Sequence, residues 1–376
     1  MKPRVMIGLS GGVDSAVAAY VLKQQGYDVI AGFMRNWDAF ANNDMLGNPT
    51  LRDPMCPQEV DFEDAEKVAR ALDIPLFRID FIQEYWDHVF TYFLKEYELG
   101  RTPNPDIFCN KYIKFDAFLA FAKSHGASLI AMGHYAGRVD RDGIAWMEMS
   151  ADQNKDQTYF LSQLSQHQLA STLFPIAHMP KAEVRAIAKK LNLIVADKKD
   201  STGVCFIGER HFKDFLKNYI PAQPGVMIDK TSQTVVGEHE GVFYYTIGQR
   251  KGLNIGGSTR FASLPWFVVE KDVKRNILYV AQGEDNAYLL ADTITVNTLN
   301  WISEKPKVGD TVMARFRHRQ PLLPVTITSL TDASMTLTFP KPYKALTPGQ
   351  GAVLYLPPYC LGGGLIHEVF YQGHKR

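Results

Sequence analysis

The stretch Val5-Met6-Ile7-Gly8-Leu9-Ser10-Gly11-Gly12-Val13-Asp14-Ser15 decides the fold of the first half of the chain. Its apolar start predicts a short buried strand, and the apolar residues at helical spacing that follow, stopped by Gly26, predict a helix. The glycines between them let the backbone approach a phosphate group closely. The N-terminus of the helix adds free N–H groups and the positive end of its dipole. The stretch therefore predicts a strand, a phosphate-binding loop and a helix.

Short apolar strands go on alternating with helices through about residue 205, which indicates a parallel sheet covered on both faces. The predicted segments are strands at 27–34, 75–79 and 127–132, helices at 59–72, 81–99, 110–124 and 181–192, and a Pro-rich loop at 100–109. After about residue 220, period-2 aromatic strands separated by glycines follow, the first of them at 242–247. We expect an α/β parallel-sheet domain at 1–220 and two small β-rich domains at 221–285 and 286–376, the last one barrel-like.

The composition is that of a globular protein, with 376 residues, 46% hydrophobic and 22% charged. Residues 206–376 hold 19 Lys and Arg against 14 Asp and Glu, which permits a polyanionic partner, although ordinary scatter of surface charge explains the excess equally well. The four cysteines form no C-x-x-C pair, which argues against a zinc ribbon. We see neither a signal peptide nor an apolar run that could span a bilayer, and expect a soluble cytoplasmic protein.

The first loop also carries side chains suited to a nucleotide. Ser10 and Ser15 supply hydroxyl donors, and Asp14 could hold a Mg²⁺ ion that bridges phosphates. The loop lacks the Gly-Lys-Ser/Thr of a Walker A motif and the G-x-G-x-x-G of a dinucleotide site; a purely structural turn is the alternative. The string resembles the loop of the ATP pyrophosphatase superfamily, which has an adenine nucleotide alpha-hydrolase-like fold. That resemblance implies that ATP adenylates a carbonyl oxygen, without saying which one.

Two cysteines lie in turn-rich segments of the α/β half. Cys109 follows a loop stiffened by prolines and lies close to the N-terminus of the predicted helix 110–124, where a thiolate is stabilised. Asp106, just before it, could act as a general acid or base. Cys205 lies beside a glycine hinge. Packing explains Cys109 alone equally well and explains Cys205 alone better. A cooperating pair suits sulfur transfer, in which one cysteine carries a persulfide and the other forms a disulfide with it.

Eight segments in this order resemble the family of bacterial tRNA-specific 2-thiouridylases. They are SGGVDS at 10–15, GRTPNPDIFCN at 100–110, MGHYA at 132–136, KDQTYFL at 155–161, DSTGVCFIG at 200–208, TIGQRKGL at 246–253, RHRQ at 317–320 and PGQ at 348–350. The resemblance runs from residue 5 to about residue 355. It implies ATP-dependent thiolation of carbon 2 of the wobble uridine in certain tRNAs. It also implies a sulfur-donor protein, either a cysteine desulfurase or a relay protein.

The resemblance also carries roles onto matching positions. It implies that ATP is bound by Gly8, Leu9, Ser10, Gly11, Gly12, Val13, Asp14, Ser15, Met34 and Gly133. It implies that Asn104, Pro105 and Asp106 contact the target base and that Asp106 acts as acid or base. It also implies that Cys109 is the nucleophile and that Cys205 carries the persulfide. The implied tRNA contacts are His134, Lys155, Asp156, Gln157, Arg317, His318 and Gln350. His318 departs from the pattern, because other members of the family carry Tyr there.

A basic strand supports a nucleic-acid partner independently. Arg315, Arg317 and Arg319 alternate along a predicted strand, so we expect them to share one face, with His318 on the other. Three arginines on one face suit phosphate binding, and a solvated strand face is the alternative. The uridine must leave the anticodon stack to enter a protein pocket, which costs a few kcal/mol for a single-stranded loop.

Several readings stay open at the level of sequence. An adenylating amidotransferase would leave both cysteines idle, and an RNA-binding module would make the first loop a relic. A further alternative is an iron–sulfur centre on Cys109 and Cys205 with one further ligand. Sulfur could pass directly from the persulfide or leave first as free sulfide. The sequence does not identify the immediate sulfur donor, the tRNAs used, the oligomeric state or the role of Cys56.

Overall fold

The computed structural model describes residues 2–46, 48, 57–200, 212–255 and 264–376. In these ranges, five parallel strands form the first sheet in the order β3–β2–β1–β4–β7. The strands are β1 (Arg4–Gly8), β2 (Asp28–Arg35), β3 (Leu76–Asp80), β4 (Leu129–Ala131) and β7 (Thr172–Leu173). The predicted parallel α/β sheet is confirmed.

Helices cover both faces of this sheet, because its strands carry apolar residues on both sides. Val5 and Ile7 of β1 face a core shared with α1 (Val13–Gln24), α2 (Pro57–Ala71) and α9 (Lys181–Lys190). Met6, on the opposite face, packs into a larger aromatic-rich core that includes Cys109. The strand-end loops are thereby left at the carboxyl edge of a rigid sheet.

The helices of the second face are interrupted by π-helical turns. The first runs through α3 (Ile82–Tyr85), a π-helical segment (Trp86–Phe90) and α4 (Thr91–Glu98); the second runs through α5 (Pro105–Phe108), a π-helical segment (Cys109–Ala117) and α6 (Phe118–Ser124). The predicted loop at 100–109 is therefore wrong from Pro105 onward. Asn104 caps the helix by accepting a hydrogen bond from the Asp106 backbone N–H at 3.1 Å, and proline suits the first helical position.

A small sheet of order β10–β11–β8–β9 follows. Its strands are β8 (Gly225–Asp229), β9 (Val235–His239), β10 (Trp266–Asp272) and β11 (Ile277–Gln282). The strand predicted at 242–247 is wrong, since Val242–Tyr244 form a 3-10 turn. Val242 is buried in the core of the small sheet, and the Tyr244 hydroxyl donates to the Ile220 carbonyl at 2.5 Å. The apolar residues of this segment therefore pack into the core of the small sheet, and Phe243 and Tyr244 also pack against the first domain, instead of pairing as a strand.

The last part of the chain forms a closed barrel, because β17 pairs with both β16 and β12. The strands are β12 (Leu290–Trp301), β13 (Thr311–Arg315), β14 (Leu323–Leu330), β15 (Ser334–Lys344), β16 (Gly351–Leu356) and β17 (Tyr359–Tyr371), with the short β18 (His374–Lys375) beside β17. The predicted β-rich part of the fold class is confirmed.

One hairpin of the first domain joins this barrel. The strands β5 (Ala136–Arg141) and β6 (Ile144–Met149) extend the barrel sheet, with Cys360 of β17 opposite Met147 of β6. The Met149 N–H also donates to the Pro358 carbonyl at 2.8 Å. Continuous backbone pairing therefore fixes the barrel against the first domain.

The remaining helices are short: α7 (Thr158–Leu161), α8 (Gln166–Ala170) and α10 (Phe212–Leu216). Across the ranges that the structure describes, no helix combines the length and the apolar character needed to cross a membrane.

Candidate active site

The loop after β1 is held by its own serines. The Ser10 N–H donates to Ser15 Oγ at 3.2 Å, and Ser15 Oγ donates to the Gly12 carbonyl at 3.0 Å. Gly11 has φ +71°, and a Cβ there would lie 2.2 Å from the Asp61 carbonyl oxygen. Only glycine fits this close approach to α2, so the loop keeps its shape around the N-terminus of α1.

The end of β4 lies against the same helix terminus. A Cβ at Gly133 would lie 2.7 Å from the Ser15 backbone nitrogen, and a Cβ at Gly8 would lie 2.8 Å from Met132 Sδ and 3.1 Å from Met34 Cε. The sheet order reverses between β1 and β4, which is the point where open α/β sheets bind ligands. The structure thus brings the residues predicted to bind ATP, 8–15, Met34 and Gly133, to one edge.

A lysine that was not predicted from the sequence contacts the end of this loop. Lys181, at the start of α9, donates from Nζ to both carboxylate oxygens of Asp14, at 2.7 and 2.8 Å. The Tyr135 hydroxyl donates to Asp14 Oδ1 at 2.9 Å. A lysine in the first turn opposes the helix dipole, and that mismatch was the available sequence signal. Its side chain is 12% exposed, so its charge acts in a partly desolvated place.

Lys181 belongs to a wider network around Asp200. Its Nζ lies 2.7 Å from Asp200 Oδ1, and the same carboxylate accepts from Lys155 Nζ at 2.6 Å and Arg185 Nη2 at 3.0 Å. Burial acts to raise the pKa of Asp200, but hydrogen bonds from Lys155 and Lys181 outweigh it and hold that pKa at about 2. Three cations therefore converge on one carboxylate beside the loop.

A second missed lysine braces the loop from the α2 side. Lys198 Nζ donates to the Gly11 carbonyl at 2.9 Å and to Asp61 and Asp64 at 2.7 Å each. Desolvation works against its charge, but the hydrogen bonds to Asp61 and Asp64 raise its pKa. The glycine loop thus has a fixed cation on each flank, an arrangement suited to a polyphosphate.

Cys109 lies on the other face of the sheet and is fully buried. The helix begins at Pro105, so Cys109 lies beyond its first turn, and the predicted placement at a helix N-terminus is wrong. Asp106 occupies the first turn instead. Cys205 and Cys56 fall outside the described residues, so the meeting of Cys109 with Cys205 stays a prediction.

The residues Lys155 to Gln157 are engaged within the protein. Asp156 is buried, accepts from Arg315 Nη1 at 2.7 Å and from Thr158 Oγ1 at 2.9 Å, and its carbonyl oxygen lies 3.2 Å from His318 Nε2. Lys155 donates to Asp200, as described above, and Gln157 Oε1 accepts from the Tyr135 N–H at 2.9 Å. The triplet therefore links the phosphate edge to the barrel.

The three arginines do not share a face. β13 ends at Arg315, which is buried and paired with Asp156, and the chain then turns, with Arg319 at φ +64°. The predicted phosphate-binding strand face is therefore wrong. Arg317 is exposed and donates from Nη2 to the Ala345 carbonyl at 3.0 Å and to Thr347 Oγ1 at 3.1 Å.

The two remaining predicted tRNA contacts differ in their setting. Gln350 donates from Nε2 to the Thr102 carbonyl at 2.6 Å, next to the loop of Cys109. His134 follows Gly133, and its Nδ1 is buried with no hydrogen-bond partner in the described part of the chain. Burial lowers the pKa of His134 well below 6.5, with Lys114 adding repulsion, so the imidazole is neutral at neutral pH.

The sheet order, the loop at its switch point and the following barrel define an adenine nucleotide alpha-hydrolase-like α/β enzyme with β-rich extensions. Family models match residues 3–209 as "tRNA methyl transferase HUP domain", residues 213–282 as "tRNA methyl transferase PRC-barrel domain" and residues 291–366 as "Aminomethyltransferase beta-barrel domain".

Curated relatives align over the whole length. The tRNA-specific 2-thiouridylase MnmA of Mycoplasma capricolum subsp. capricolum is 53% identical over 98% of this chain and 100% of its own. Those of Metamycoplasma arthritidis and Geobacillus kaustophilus are 51% and 53% identical, over 100% of this chain and 99% and 97% of theirs. A solved 4-thiouridine synthetase–RNA complex with bound ATP covers 55% of this chain and 45% of its own at 11% identity, and its TM-score of 0.33 is too low to support any argument. The chain belongs to the tRNA-specific 2-thiouridylase family.

Proposed function

We propose that this chain is the ATP-dependent sulfurtransferase that replaces oxygen 2 of a tRNA wobble uridine with sulfur and releases AMP and pyrophosphate. The observation that carries the proposal is the glycine loop at the switch point of the sheet, flanked by Lys181 and Lys198. The full-length likeness to named 2-thiouridylases supports the choice of reaction.

ATP would lie along the carboxyl edge. Its phosphates would take the N–H groups of residues 8–15, its adenosine part would contact Met34 and Gly133, and Lys181 and Lys198 would neutralise phosphate charge. The described residues contain no cluster of three or more His, Cys, Asp or Glu side chains that could hold a metal by themselves. Mg²⁺ would therefore arrive with the phosphates, with Asp14 as an oxygen ligand once Lys181 turns to the phosphates.

The target base would be held by Asn104, Pro105 and Asp106. Uridine oxygen 2 attacks the α-phosphorus, the bond from that phosphorus to the bridging oxygen breaks, and pyrophosphate leaves. The base becomes an adenylate, so carbon 2 now carries AMP as its leaving group. Asp106 is the acid or base that moves the proton between the uracil ring and solvent.

The sulfur would come from a persulfide on Cys205, loaded by a cysteine desulfurase or a relay protein. Its terminal sulfur adds at carbon 2 and AMP departs. The Cys109 thiolate attacks the Cys205 sulfur, the sulfur–sulfur bond of the persulfide breaks, and a Cys109–Cys205 disulfide remains for an external thiol to reduce. In the second route, Cys109 makes the same attack first, and free sulfide then adds to the adenylate.

The tRNA would contact His134, Lys155, Gln157, Arg317, His318 and Gln350, and the buried Asp156 would support this surface from below through its hydrogen bonds to Thr158 and Arg315. We propose the domain limits 1–220, 221–285 and 286–376, and a cytoplasmic location where the thiols stay reduced. The domain limits follow from the change to period-2 strands after about residue 220, and the location from cysteines that form no disulfide scaffold in the sequence.

Isotope tracing tests the adenylation step. A tRNA carrying ¹⁸O at carbon 2 of the wobble uridine should yield AMP that contains the ¹⁸O, because that oxygen is the one that attacks phosphorus. One AMP and one pyrophosphate should form per thiouridine. Unlabelled AMP, or ADP with phosphate in place of AMP with pyrophosphate, would exclude adenylation of oxygen 2.

A further inference from the structure

The short loop between α4 and α5 is gripped by the barrel. The Thr102 N–H donates to the Pro348 carbonyl at 2.9 Å, and the Thr102 carbonyl accepts from Gln350 Nε2 at 2.6 Å. Between them, Gly349 has φ +92°, and a Cβ there would lie 3.1 Å from the Thr102 backbone. Both backbone groups of Thr102 are therefore taken by one turn of the barrel, which must carry glycine to fit around them.

The neighbouring residues of the loop meet other parts of the molecule. Thr102 Oγ1 donates to Thr246 Oγ1 of the middle domain at 3.4 Å, and a Cβ at Gly100 would lie 2.5 Å from Val273 Cγ2. Arg101 Nη2 lies 3.1 Å from His367 Nδ1 of β17, the acceptor, since arginine only donates. Residues 100–102 are thus the place where all three parts of the chain touch.

Residues 100–102, which we call the joint, directly precede the proposed reactive groups in the sequence. Asn104, Asp106 and Cys109 follow within the next turns of the chain, and Pro103 and Pro105 remove backbone freedom between them and Thr102. The next residue of the barrel turn, Gly351, donates its N–H to the Tyr159 hydroxyl at 3.1 Å, and a Cβ there would lie 3.1 Å from Ile107 Cδ1. The barrel turn therefore packs directly against the helical segment that precedes Cys109.

We infer that Gln350 is a positioning residue for the nucleophile, acting through the Thr102 carbonyl, in addition to any contact with tRNA. The inference rests on the proposed function in giving Cys109 the role of nucleophile. The side chain of Gln350 is part-buried, and its amide nitrogen already makes a short hydrogen bond within the protein. That bond fixes the position of the loop before substrate arrives, which is what preorganised catalysis requires.

Arg317 connects the barrel to the middle domain beside the joint. Its Nη2 donates to Thr347 Oγ1 and the Ala345 carbonyl of the barrel and lies 3.4 Å from the Ile247 carbonyl of the middle domain. Thr347 and Ile247 are each next in sequence to a gripping residue, Pro348 and Thr246. Arg317 therefore adds a contact between the barrel and the middle domain beside the residues that hold Thr102.

The test replaces Gln350 by methionine, which keeps the length of the side chain and removes its donor. Gln372→Met, at an exposed turn of the same barrel, is the matched control. The readouts are the dissociation constant for tRNA and the single-turnover rate of thiolation at saturating tRNA. For a positioning role we expect Gln350→Met to slow thiolation by about tenfold or more while affinity stays within about twofold, since a displaced reacting group costs rate rather than binding. Gln372→Met should match the wild type.

A second readout needs no tRNA. In a Cys56→Ser/Cys205→Ser background, Gln350→Met should speed alkylation of Cys109 by iodoacetamide, read by peptide mass spectrometry, because the buried thiol becomes accessible when the loop is released. Thr102→Val removes the side-chain contact with Thr246. It should slow thiolation and speed Cys109 alkylation as Gln350→Met does, but by less. This variant keeps the proposal testable if Gln350→Met fails to fold.

Weaker tRNA binding with unchanged thiolation at saturation and unchanged alkylation would overturn the positioning role and leave Gln350 as a tRNA contact only. Absence of thiouridine with the wild-type protein would instead refute the proposed function. The alkylation result would still decide whether Gln350 holds the loop.

Discussion

Lys181 provides the charge that the loop sequence itself lacks. It holds both oxygens of Asp14 and one of Asp200, so it stands where phosphate charge would develop. We expect Lys181→Met to lower tRNA-dependent pyrophosphate release by about a hundredfold, the usual effect of removing a preorganised charge from a reacting phosphate. The release is measured with a coupled phosphate assay.

The same helix offers the control for this variant. Lys189 lies on α9 with its side chain 61% exposed, and it pairs with the exposed Asp197. Lys189→Met should therefore leave pyrophosphate release unchanged. Equal losses in both variants would mean that Lys181 acts through the stability of α9 and not through the phosphates.

The burial of His134 predicts how the free energy of unfolding depends on pH. Its pKa lies well below 6.5 in the folded protein because burial disfavours the charged ring. Above pH 6.5 the imidazole is neutral in both states, and below it only the unfolded chain takes up the proton. The free energy of unfolding should therefore fall with pH below 6.5, by at most about 1.4 kcal/mol per pH unit for this one proton.

The measurement compares the wild type with His134→Gln in urea titrations between pH 8 and pH 5.5. The two curves of unfolding free energy against pH should converge as the pH falls, since the variant has no imidazole to protonate at this position. Parallel curves would show that His134 can take up its proton in the folded protein.

At this scale the sequence predicts best where one residue type is sterically required. Gly11 and Gly133 lie where any Cβ would collide with backbone, and Gly11 is part of the Ser-Gly-Gly-x-Asp-Ser pattern after a buried strand that predicts the loop. Lys198 has no such local signal, because its partners Gly11, Asp61 and Asp64 lie far away along the chain. For Lys181 the local signal is its mismatch with the helix dipole, which does not name Asp14 as its partner. Arg315 was misassigned because alternation on a strand does not tell a solvent face from a buried ion pair.

At the scale of elements, the buried pair of Asp156 and Arg315 joins the first domain to the barrel. The side chains are 0% and 7% exposed. Asp156→Asn keeps the shape but leaves the arginine charge buried and unpaired. We expect it to lower the free energy of unfolding by about 3 kcal/mol, measured by urea denaturation, because breaking a buried pair from one side is costly.

The exposed pair between Lys305 and Asp332 is the comparison, with side chains 45% and 100% exposed. Asp332→Asn should leave the urea midpoint where it is, since solvent screens such a pair. A loss for Asp156→Asn no larger than that for Asp332→Asn would contradict the structural role of the buried pair.

The elements themselves were predictable where periodicity was clear. The parallel strands and the long helices follow from apolar runs, but the hairpin of β5 and β6 was missed, because its partner strand β17 lies more than two hundred residues further on. The start of α5 is hard to predict because prolines also favour loops, although Asn104 and Pro105 form a helix start here. Local patterns record local structure, and tertiary pairing decided the rest.

At the scale of the whole molecule, the exposed Arg317 predicts how the affinity for tRNA depends on salt. If it meets a tRNA phosphate, Arg317→Ala should flatten the slope of log affinity against log salt by about 0.7 to 0.9, the effect of one lost phosphate contact. Arg275→Ala, on the middle domain with its side chain 74% exposed, should keep the wild-type slope. Unchanged slopes in both would remove Arg317 from the tRNA surface.

The nucleotide edge, the Cys109 helix and the barrel together form the enzyme that thiolates tRNA. The most direct test incubates the protein with undermodified tRNA, ATP, Mg²⁺ and a persulfide donor, and reads 2-thiouridine in digested tRNA by mass spectrometry. We predict thiouridine at the wobble position that requires ATP and is lost in both Cys109→Ser and Cys205→Ser. No thiouridine from the wild type, or full yield from either cysteine variant, would contradict the account.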